Sequence, residues 1–486
     1  MCLSLKLPYI KLLCTLMGLT VLSAYLQAQQ VAGNFSPLSS VTYKEKIVQL
    51  EKYVAPKFYA DKSSQAWYEE ILTDRNNGLL YSFKEDKLIY DTFLLNKCNS
   101  ILNKIAAANK NFKFDTVKLY INRSVVANAA CYGEGTIMIN LGLFLWVDND
   151  DELALVLGHE IAHQLLNHSE SKMEKSIATL TSDEFKDELK KIKKADYGKF
   201  ERFRKLMKGL SIESGKHSTY KESEADSLGV VLIKNAGFNI PNASKILLKL
   251  DKVDELFTSN KLYTIKDFFE KAPIDLSYFK VKPKYKGLSS ANITMNADKD
   301  LDSIKTHPDC IKRYETIAGK GNLPTLNCCS ALNTLSGSYK ENAMLEMVRY
   351  LYEKNSIGLC AHLSIFALKN NYDPAVYNYF LSLCFSKLYY KDKNLERFNA
   401  ANANAGRETN LKEIQDFLFD VSSADLDKLA AYFLNYKASA NSEDFEFANL
   451  MYNIQVKMKD EITAYADFDK RFPKSKYHYL IQKKIK

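Results

Sequence analysis

Two histidines one helical turn apart are the feature that most constrains this chain. They stand in His159-Glu160-Ile161-Ala162-His163, shortly after Asn149 and Glu152, whose spacing predicts a helix start with a capping box. We expect this helix to run to about Asn167. At about 100° per residue the two imidazoles lie roughly 40° apart on it, so both can bind one metal ion. The carboxylate of Glu160 can reach a water bound to that ion, as metal-assisted hydrolysis requires.

A later acidic segment supplies a candidate third ligand. Catalytic zinc takes three protein ligands, and Glu222 opens a predicted helix that ends at Ala236-Gly237. Asp226 follows one turn later and is expected to orient a ligating histidine through its other ring nitrogen. Glu224 should point to the opposite face. On spacing alone this segment also fits the solvated start of a helix.

A third histidine, His168, lies close to the pair. The whole chain has only seven histidines, and three of them fall within ten residues. On a continuous helix His168 would lie roughly 180° from His159. We therefore expect it to be a surface or packing histidine and not a ligand.

Length and composition are those of a soluble globular protein. At roughly 150 residues per domain, 486 residues suggest about three structural units. Apolar residues make up 46% and charged residues 26%, which is ordinary globular usage. The net charge of +9 is spread along the chain, so nucleic acid is not an expected partner.

Residues 1–28 have the layout of a secretory signal peptide. Lys6 and Lys11 precede an apolar run from Leu12 to Leu26, and Ala28 is the small residue at the expected cleavage point. The run is shorter than the ~20 residues of a membrane-spanning helix. We expect an exported protein, periplasmic or extracellular, with no membrane span after signal removal. The alternative is an uncleaved signal that keeps the protein at the membrane.

The rest of the chain predicts a small sheet, then loops, and then a helical C-terminal region. Val117–Ile121 and Thr136–Asn140 are rich in β-formers and predict two strands of a small sheet. Ser211–Ser218 reads as a polar break, and residues 272–300 as loops or a flap. Beyond residue 320, amphipathic helices are predicted over 340–354, 358–369, 374–390 and 410–436. These helices form either stacked, TPR-like hairpins or a non-repetitive bundle.

In four ordered blocks the sequence resembles the zinc metallopeptidases of peptidase family M48, which are gluzincins. The blocks are Asn128-Ala129-Ala130 with residues 133–143; Asp151 to His163; Glu222 to Asp226 with Ala236-Gly237-Phe238; and Thr306-His307-Pro308 with Arg313.

The resemblance implies one Zn²⁺ per chain, bound by His159, His163 and Glu222, with Glu160 as general base. It also implies that His307 lies near the metal. There His307 would support the transition state, or fill the open zinc position in a latent form.

The resemblance further implies how a substrate is held. An extended peptide would add as a strand to the sheet edge, which we expect to be the strand Gly135–Asn140. Asn128, Gly135, Ile137 and Arg313 are then the expected substrate contacts.

The predicted fold class is α+β, with a mainly helical zincin-type core, a small sheet and an all-α C-terminal region. The predicted parts are a signal at 1–28, an N-terminal helical part of the protease unit at 29–110, the metallopeptidase core at 111–320 and the helical region at 321–486. The expected function is that of an exported zinc endopeptidase acting on proteins in envelope quality control. The alternative is a chaperone or assembly factor that uses residues 321–486 to bind an envelope partner and carries a latent protease.

Overall fold

The computed structural model describes most of the chain between residues 44 and 481. The described residues are 44–52, 58–85, 87–89, 92–195, 197–253, 264–279, 310–319, 338–397, 400, 410–436, 443–475, 477–478 and 480–481. They form helices around one small sheet, which confirms the predicted α+β class. The predicted signal at 1–28 lies outside these residues. In the described part, no helix is both long enough and apolar enough to cross a bilayer.

The sheet has four strands in the order β1-β2-β4-β3. They are β1 Leu88–Ile89, β2 Lys118–Asn122, β3 Ala129–Cys131 and β4 Thr136–Asn140. β2 and β4 run parallel, and the two outer strands pair antiparallel with them.

The two predicted strands are confirmed as β2 and β4. However, β4 lies between β2 and β3, so the prediction that it forms the sheet edge is wrong, and β3 is the edge beside it. β3 escaped prediction because it is three residues of small side chain, without the β-branched residues that indicate strands.

Eleven helices precede residue 320 in the described part of the chain. They are α1 Lys44–Glu51, α2 Lys62–Lys84, α3 Thr92–Ala108, α4 Asp150–Leu165, α5 His168–Thr181, α6 Asp183–Lys194, α7 Lys199–Asn235, α8 Ile240–Ala243, α9 Lys245–Leu250, α10 Ile265–Phe268 and α11 Cys310–Ala318. Single 3₁₀ turns occupy Leu141–Leu145 and Leu276–Phe279.

Helix α4 begins where the sequence predicts and ends earlier. The Asn149 Oδ1 atom accepts a hydrogen bond from the Glu152 amide at 3.1 Å, and Glu152 Oε2 accepts from the Asp148 amide at 2.8 Å. At the other end Asn167 has a φ of 53°, in the left-handed region. Because a helix cannot continue through that conformation, α4 stops at Leu165 and a new helix starts at His168.

Helix α7 runs through the segment that was expected to be a polar break. It extends unbroken over Lys199–Asn235 and includes Ser211–Ser218, so that prediction is wrong. Its end agrees with the sequence, because Ala236 is the C-cap and Gly237 has a φ of 76°. Pro241 stands in the first turn of the next helix, as predicted.

In its described residues the C-terminal region consists of helices and the turns that connect them. Its helices are α12 Ser338–Glu353, α13 Ile357–Lys369, α14 Pro374–Lys393, α15 Asn410–Asp420, α16 Ser423–Leu434, α17 Glu443–Gln455 and α18 Glu461–Arg471. One predicted helix, 410–436, is two, divided where the Ser422 hydroxyl accepts from the Asp425 amide at 3.1 Å. Helix α14 packs against α13, α16 and α17. Whether the helices form true repeats stays a prediction.

The C-terminal helices share one hydrophobic core with the sheet and with α4. Buried charges join the two parts as well. The guanidinium of Arg123, at the end of β2, is fully buried and pairs with Glu346 at 2.7 Å and with both carboxylate oxygens of Glu353. The hydroxyl of Tyr339 donates to Asp150, in the first turn of α4, at 2.6 Å. The start of α4 is therefore held from the C-terminal side.

Helices α4 and α7 touch backbone to backbone at two glycines. A Cβ atom added to Gly229 would lie 3.0 Å from the carbonyl carbon of Gly158 and 3.0 Å from the amide nitrogen of His159. A Cβ atom added to Gly158 would lie 2.7 Å from Cγ2 of Ile233. These distances are shorter than packed side chains adopt, so the two helices can approach this closely only through glycine.

We expect Gly229→Ala to lower the free energy of unfolding by about 1–3 kcal/mol, because the new methyl group must push α4 and α7 apart. The matched control is Gly78→Ala in α2, where an added Cβ meets no atom within 4 Å. There alanine should be neutral or stabilise by up to about 1 kcal/mol through its helix propensity. Urea unfolding of both variants measures the difference, and equal effects would contradict the close contact.

Candidate metal centre

The crossing of α4 and α7 brings the predicted ligands together. Helix α4 carries His159, Glu160 and His163, and α7 carries Glu222 and Asp226. His163 is half-buried, and the other four are buried. Because Gly158 immediately precedes His159, the point of closest helix contact lies beside the first ligand.

Three donor atoms converge between the two helices. The Nε2 atoms of His159 and His163 are 3.0 Å apart. The Glu222 carboxylate lies 3.3 Å from the first of them and 3.4 Å from the second. Tetrahedral ligands about 2.0–2.1 Å from a zinc ion are roughly 3.3 Å from each other. Two imidazoles and one carboxylate at these separations therefore fit zinc in both donor type and spacing.

The second nitrogen of His159 is held by a carboxylate. His159 Nδ1 lies 2.9 Å from Asp226 Oδ1, and Arg313 from α11 donates to both oxygens of Asp226 at 2.7 Å. Burial raises the pKa of Asp226, but the hydrogen bonds from His159 and Arg313 outweigh it and lower this pKa to about 2. Burial and the Arg313 charge lower the pKa of His159, but the bonds to Asp226 and Glu222 raise it to about 9. The carboxylate of Asp226 is thus charged and fixes the first imidazole.

The second nitrogen of His163 is held by another histidine. His168 is buried, and its Nδ1 atom lies 2.9 Å from Nδ1 of His163. The Nε2 atom of His168 faces a carboxylate oxygen of Glu224 at 3.4 Å. Burial, with the neighbouring His163 and Lys221, lowers the pKa of His168, which favours the neutral ring.

The expected direction of His168 is therefore corrected. The 180° estimate assumed a continuous helix, whereas the left-handed Asn167 ends α4 and redirects the chain. The Glu224 carboxylate, which is partly exposed, faces His168 on α5. The signal in the sequence was Asn167 itself, because asparagine is one of the few residues that adopt the left-handed conformation at a helix end.

Glu160 is buried beside the ligands, and the edge strand β3 lies near it. Burial and, in smaller part, the negative charge of Glu160 raise the pKa of the Cys131 thiol to about 12. The thiol is therefore protonated at pH 7, which excludes a thiolate nucleophile or ligand at this position. Glu160 remains the ionisable group beside the ligand cluster on α4.

Three of the four expected substrate contacts have main-chain groups that are already paired within the fold. Ile137 is fully buried and pairs with Leu119 and Cys131. The Gly135 amide donates to Gln164 Oε1 at 2.9 Å, and its φ of 75° belongs to the turn before β4. The carbonyl of Asn128 accepts from the Asn140 amide at 2.9 Å. These groups shape the edge strand and are not an open surface of it.

The outer side of β3 follows from its pairing. Hydrogen bonds join Asn140 to Asn128 and Tyr132 to Thr136, so in an antiparallel ladder Ala129 and Cys131 direct their main-chain groups away from β4. Ala129 is only 5% exposed, and the Cys131 carbonyl accepts from the Ser169 hydroxyl at 3.1 Å. The outer edge of β3 is therefore in contact with the first turn of α5.

Arg313 lies among the ligands' supporting groups. It was expected to contact substrate, but it pairs with Asp226 and stands 3.8 Å from the Glu222 carboxylate. It therefore braces the side of the centre that faces α11. His307 lies outside the described residues, as does the segment 280–300 of the expected flap; residues 272–279 form a loop with a 3₁₀ turn.

Comparison with known proteins agrees with this geometry. Residues 96–320 match the model of peptidase family M48. Over 165 residues the chain is 27% identical to the beta-barrel assembly-enhancing protease of Yersinia pestis, a match that covers 34% of this chain and 34% of the relative. The chain thus spans about a third of that relative's length. The resemblance seen in the sequence is confirmed for residues 96–320, which match this family of metallopeptidases.

Proposed function

We propose that this protein is a zinc-dependent endopeptidase that hydrolyses protein substrates. The observation that carries the proposal is the convergence of His159, His163 and Glu222 at 3.0 to 3.4 Å, with a buried Glu160 next to the first ligand. A metal centre of this kind needs each ligand fixed before the ion binds. Here Asp226 and His168 provide that support.

The reaction divides between the metal and one side chain. Bound zinc would polarise the scissile carbonyl and lower the pKa of a water molecule to about 7. With the ion held by His159, His163 and Glu222, Glu160 would accept the proton of the water that attacks the carbonyl carbon. As the carbon–nitrogen bond breaks, Glu160 delivers the proton to the leaving amine. The site buries Glu160, so the carboxylate acts where bulk water competes little.

An extended substrate would add to β3, the strand that runs beside Glu160. Main-chain hydrogen bonding of this kind tolerates many side chains, which suits a protease of unfolded or misassembled proteins. For such pairing at Cys131, its carbonyl, which accepts a hydrogen bond from the Ser169 hydroxyl, would also accept one from the substrate amide.

We place the protein in the cell envelope, in quality control of exported proteins. Residues 1–28 have a signal-peptide pattern, and the Yersinia pestis relative is named for enhancing β-barrel assembly. That name also favours a second candidate function, in which the C-terminal helices bind a partner and assist assembly while the protease stays latent. The helices α12 to α18 would supply the binding surface.

Metal removal should abolish peptide hydrolysis and lower the melting temperature, because the ion binds the folded state selectively. Added zinc should restore both in the wild type. It should restore neither in His163→Ala nor Glu222→Ala, since each loses one of the converging donors. The control is His478→Ala, which removes a histidine paired with Asp469 near the end of the chain. Unchanged zinc content in the ligand variants would disprove the assignment.

Glu160→Gln should keep zinc and lose roughly 10²- to 10⁴-fold in kcat, the usual contribution of general acid–base catalysis. The amide preserves the shape of the side chain, and Glu160 is not one of the three donors. Casein hydrolysis and metal analysis of the same preparation separate the two effects. Full activity in this variant would remove Glu160 from the mechanism.

The same variant separates the two candidate functions in cells. If proteolysis is the function, Glu160→Gln should reproduce the phenotype of the gene deletion. If assembly is the function, it should complement the deletion like the wild type. Deleting residues 321–486 is a poorer test, because it would leave the buried Arg123 without Glu346 and Glu353 and open the shared core.

A further inference from the structure

The inference concerns the proton on His163. Its Nε2 atom faces His159 and Glu222, so the lone pair that would bind metal is on that nitrogen. A neutral imidazole then carries its proton on Nδ1 and needs an acceptor there. The atom at hydrogen-bond distance is Nδ1 of His168, at 2.9 Å.

The residues around His168 favour the tautomer whose Nδ1 atom can accept a hydrogen bond. To accept through Nδ1, the neutral ring must carry its own proton on Nε2. That nitrogen faces the Glu224 carboxylate at 3.4 Å, which favours a hydrogen on it. The main chain is held too, since Lys221 donates its ammonium group to the His168 carbonyl at 3.1 Å. Two residues of α7, Lys221 and Glu224, thus hold His168.

We propose that His168 is a positioning residue that accepts the Nδ1 proton of His163 and thereby fixes the tautomer and the ring orientation His163 needs to bind zinc. The proposal rests on the proposed role of His163 as a ligand. His168 does not itself ligate, because it meets His163 at the nitrogen turned away from His159 and Glu222.

The two imidazoles of the centre are then supported unequally. His159 is held by the charged Asp226, which Arg313 secures with two hydrogen bonds. His163 is held by a neutral ring. A neutral acceptor strengthens its partner's basicity less than a carboxylate does, so the His163 arm is the weaker one and is the more sensitive to loss of its support.

Two substitutions at one position test the proposal in the full-length protein. His168→Phe keeps a ring of similar size and removes the acceptor. His168→Asn is smaller but can place its amide oxygen near the Nδ1 position. Zinc affinity is measured by competition with a chromophoric chelator, and the stability of the metal-free protein by urea unfolding.

We expect His168→Phe to weaken zinc binding roughly 10- to 100-fold, the usual effect of losing an outer partner of a ligating histidine. His168→Asn should stay within about threefold of the wild type, even though it leaves more unfilled volume than phenylalanine. Cobalt(II) spectra should change in the first variant and not in the second. Affinities that follow side-chain volume instead, with Asn the weaker binder, would overturn the proposal, as would wild-type affinity in His168→Phe.

Failure of the proposed function gives a different result. If the wild type binds no zinc, or if His163→Ala binds it as the wild type does, the zinc assignment itself is wrong. If those tests support zinc and His168→Phe leaves its affinity unchanged, only the positioning role is lost.

Discussion

The metal centre depends on the close approach of α4 and α7 at Gly158 and Gly229. His159 and His163 come from one helix and Glu222 from the other, so the distance between the helix axes sets the distances between the donor atoms. Glycine in a helix costs about 1 kcal/mol relative to alanine. The chain bears that cost twice, at the two positions where a side chain would separate the helices. The close packing at these two glycines therefore matters more for the distance between the helices than for the stability of the fold.

Buried charge clusters add a second constraint, which ties the C-terminal helices to the start of α4. The ammonium of Lys249 lies 2.6 Å from the Glu152 carboxylate and also pairs with Asp148, which in turn accepts from Lys340 of α12. Removing such charges from water costs about as much as their attraction returns, so these clusters contribute specificity more than stability. The charge clusters favour one arrangement of the C-terminal helices relative to the start of α4. A partner bound to the C-terminal helices would therefore act on a unit that shares its core with the ligand helix.

Sequence reasoning predicted the parts of the centre that depend on local pattern. The capping box of α4, the histidine pair, the strands β2 and β4 and the one-turn spacing of Glu222 and Asp226 are all visible as short-range signals. The assignments of His159, Glu160, His163 and Glu222 to their chemical roles stay predictions until metal binding is measured. The parts that escaped prediction depend on tertiary contacts or on the backbone conformation of single segments.

Tertiary contacts explain two of the misses. β3 consists of small residues and becomes a strand only because β4 pairs with it. Arg313 reaches Asp226 from a helix 87 residues further along the chain. The polar segment Ser211–Ser218 stays helical within a long α7, although serine and glycine are weak helix formers. The position of His168 depended on the conformation of one residue, Asn167.

The turn at Asn167 also joins the proposed metal site to the proposed substrate strand. It starts α5, and the first three residues of α5 each contact a different part of the centre. His168 meets the ligand His163, the Ser169 hydroxyl donates to the Cys131 carbonyl of β3, and the Glu170 side chain lies against Gly133 in the turn after β3. The main chains of these residues move together, because they belong to one helical turn. A displacement of α5 away from β3 would therefore also shift the acceptor that is proposed to orient His163.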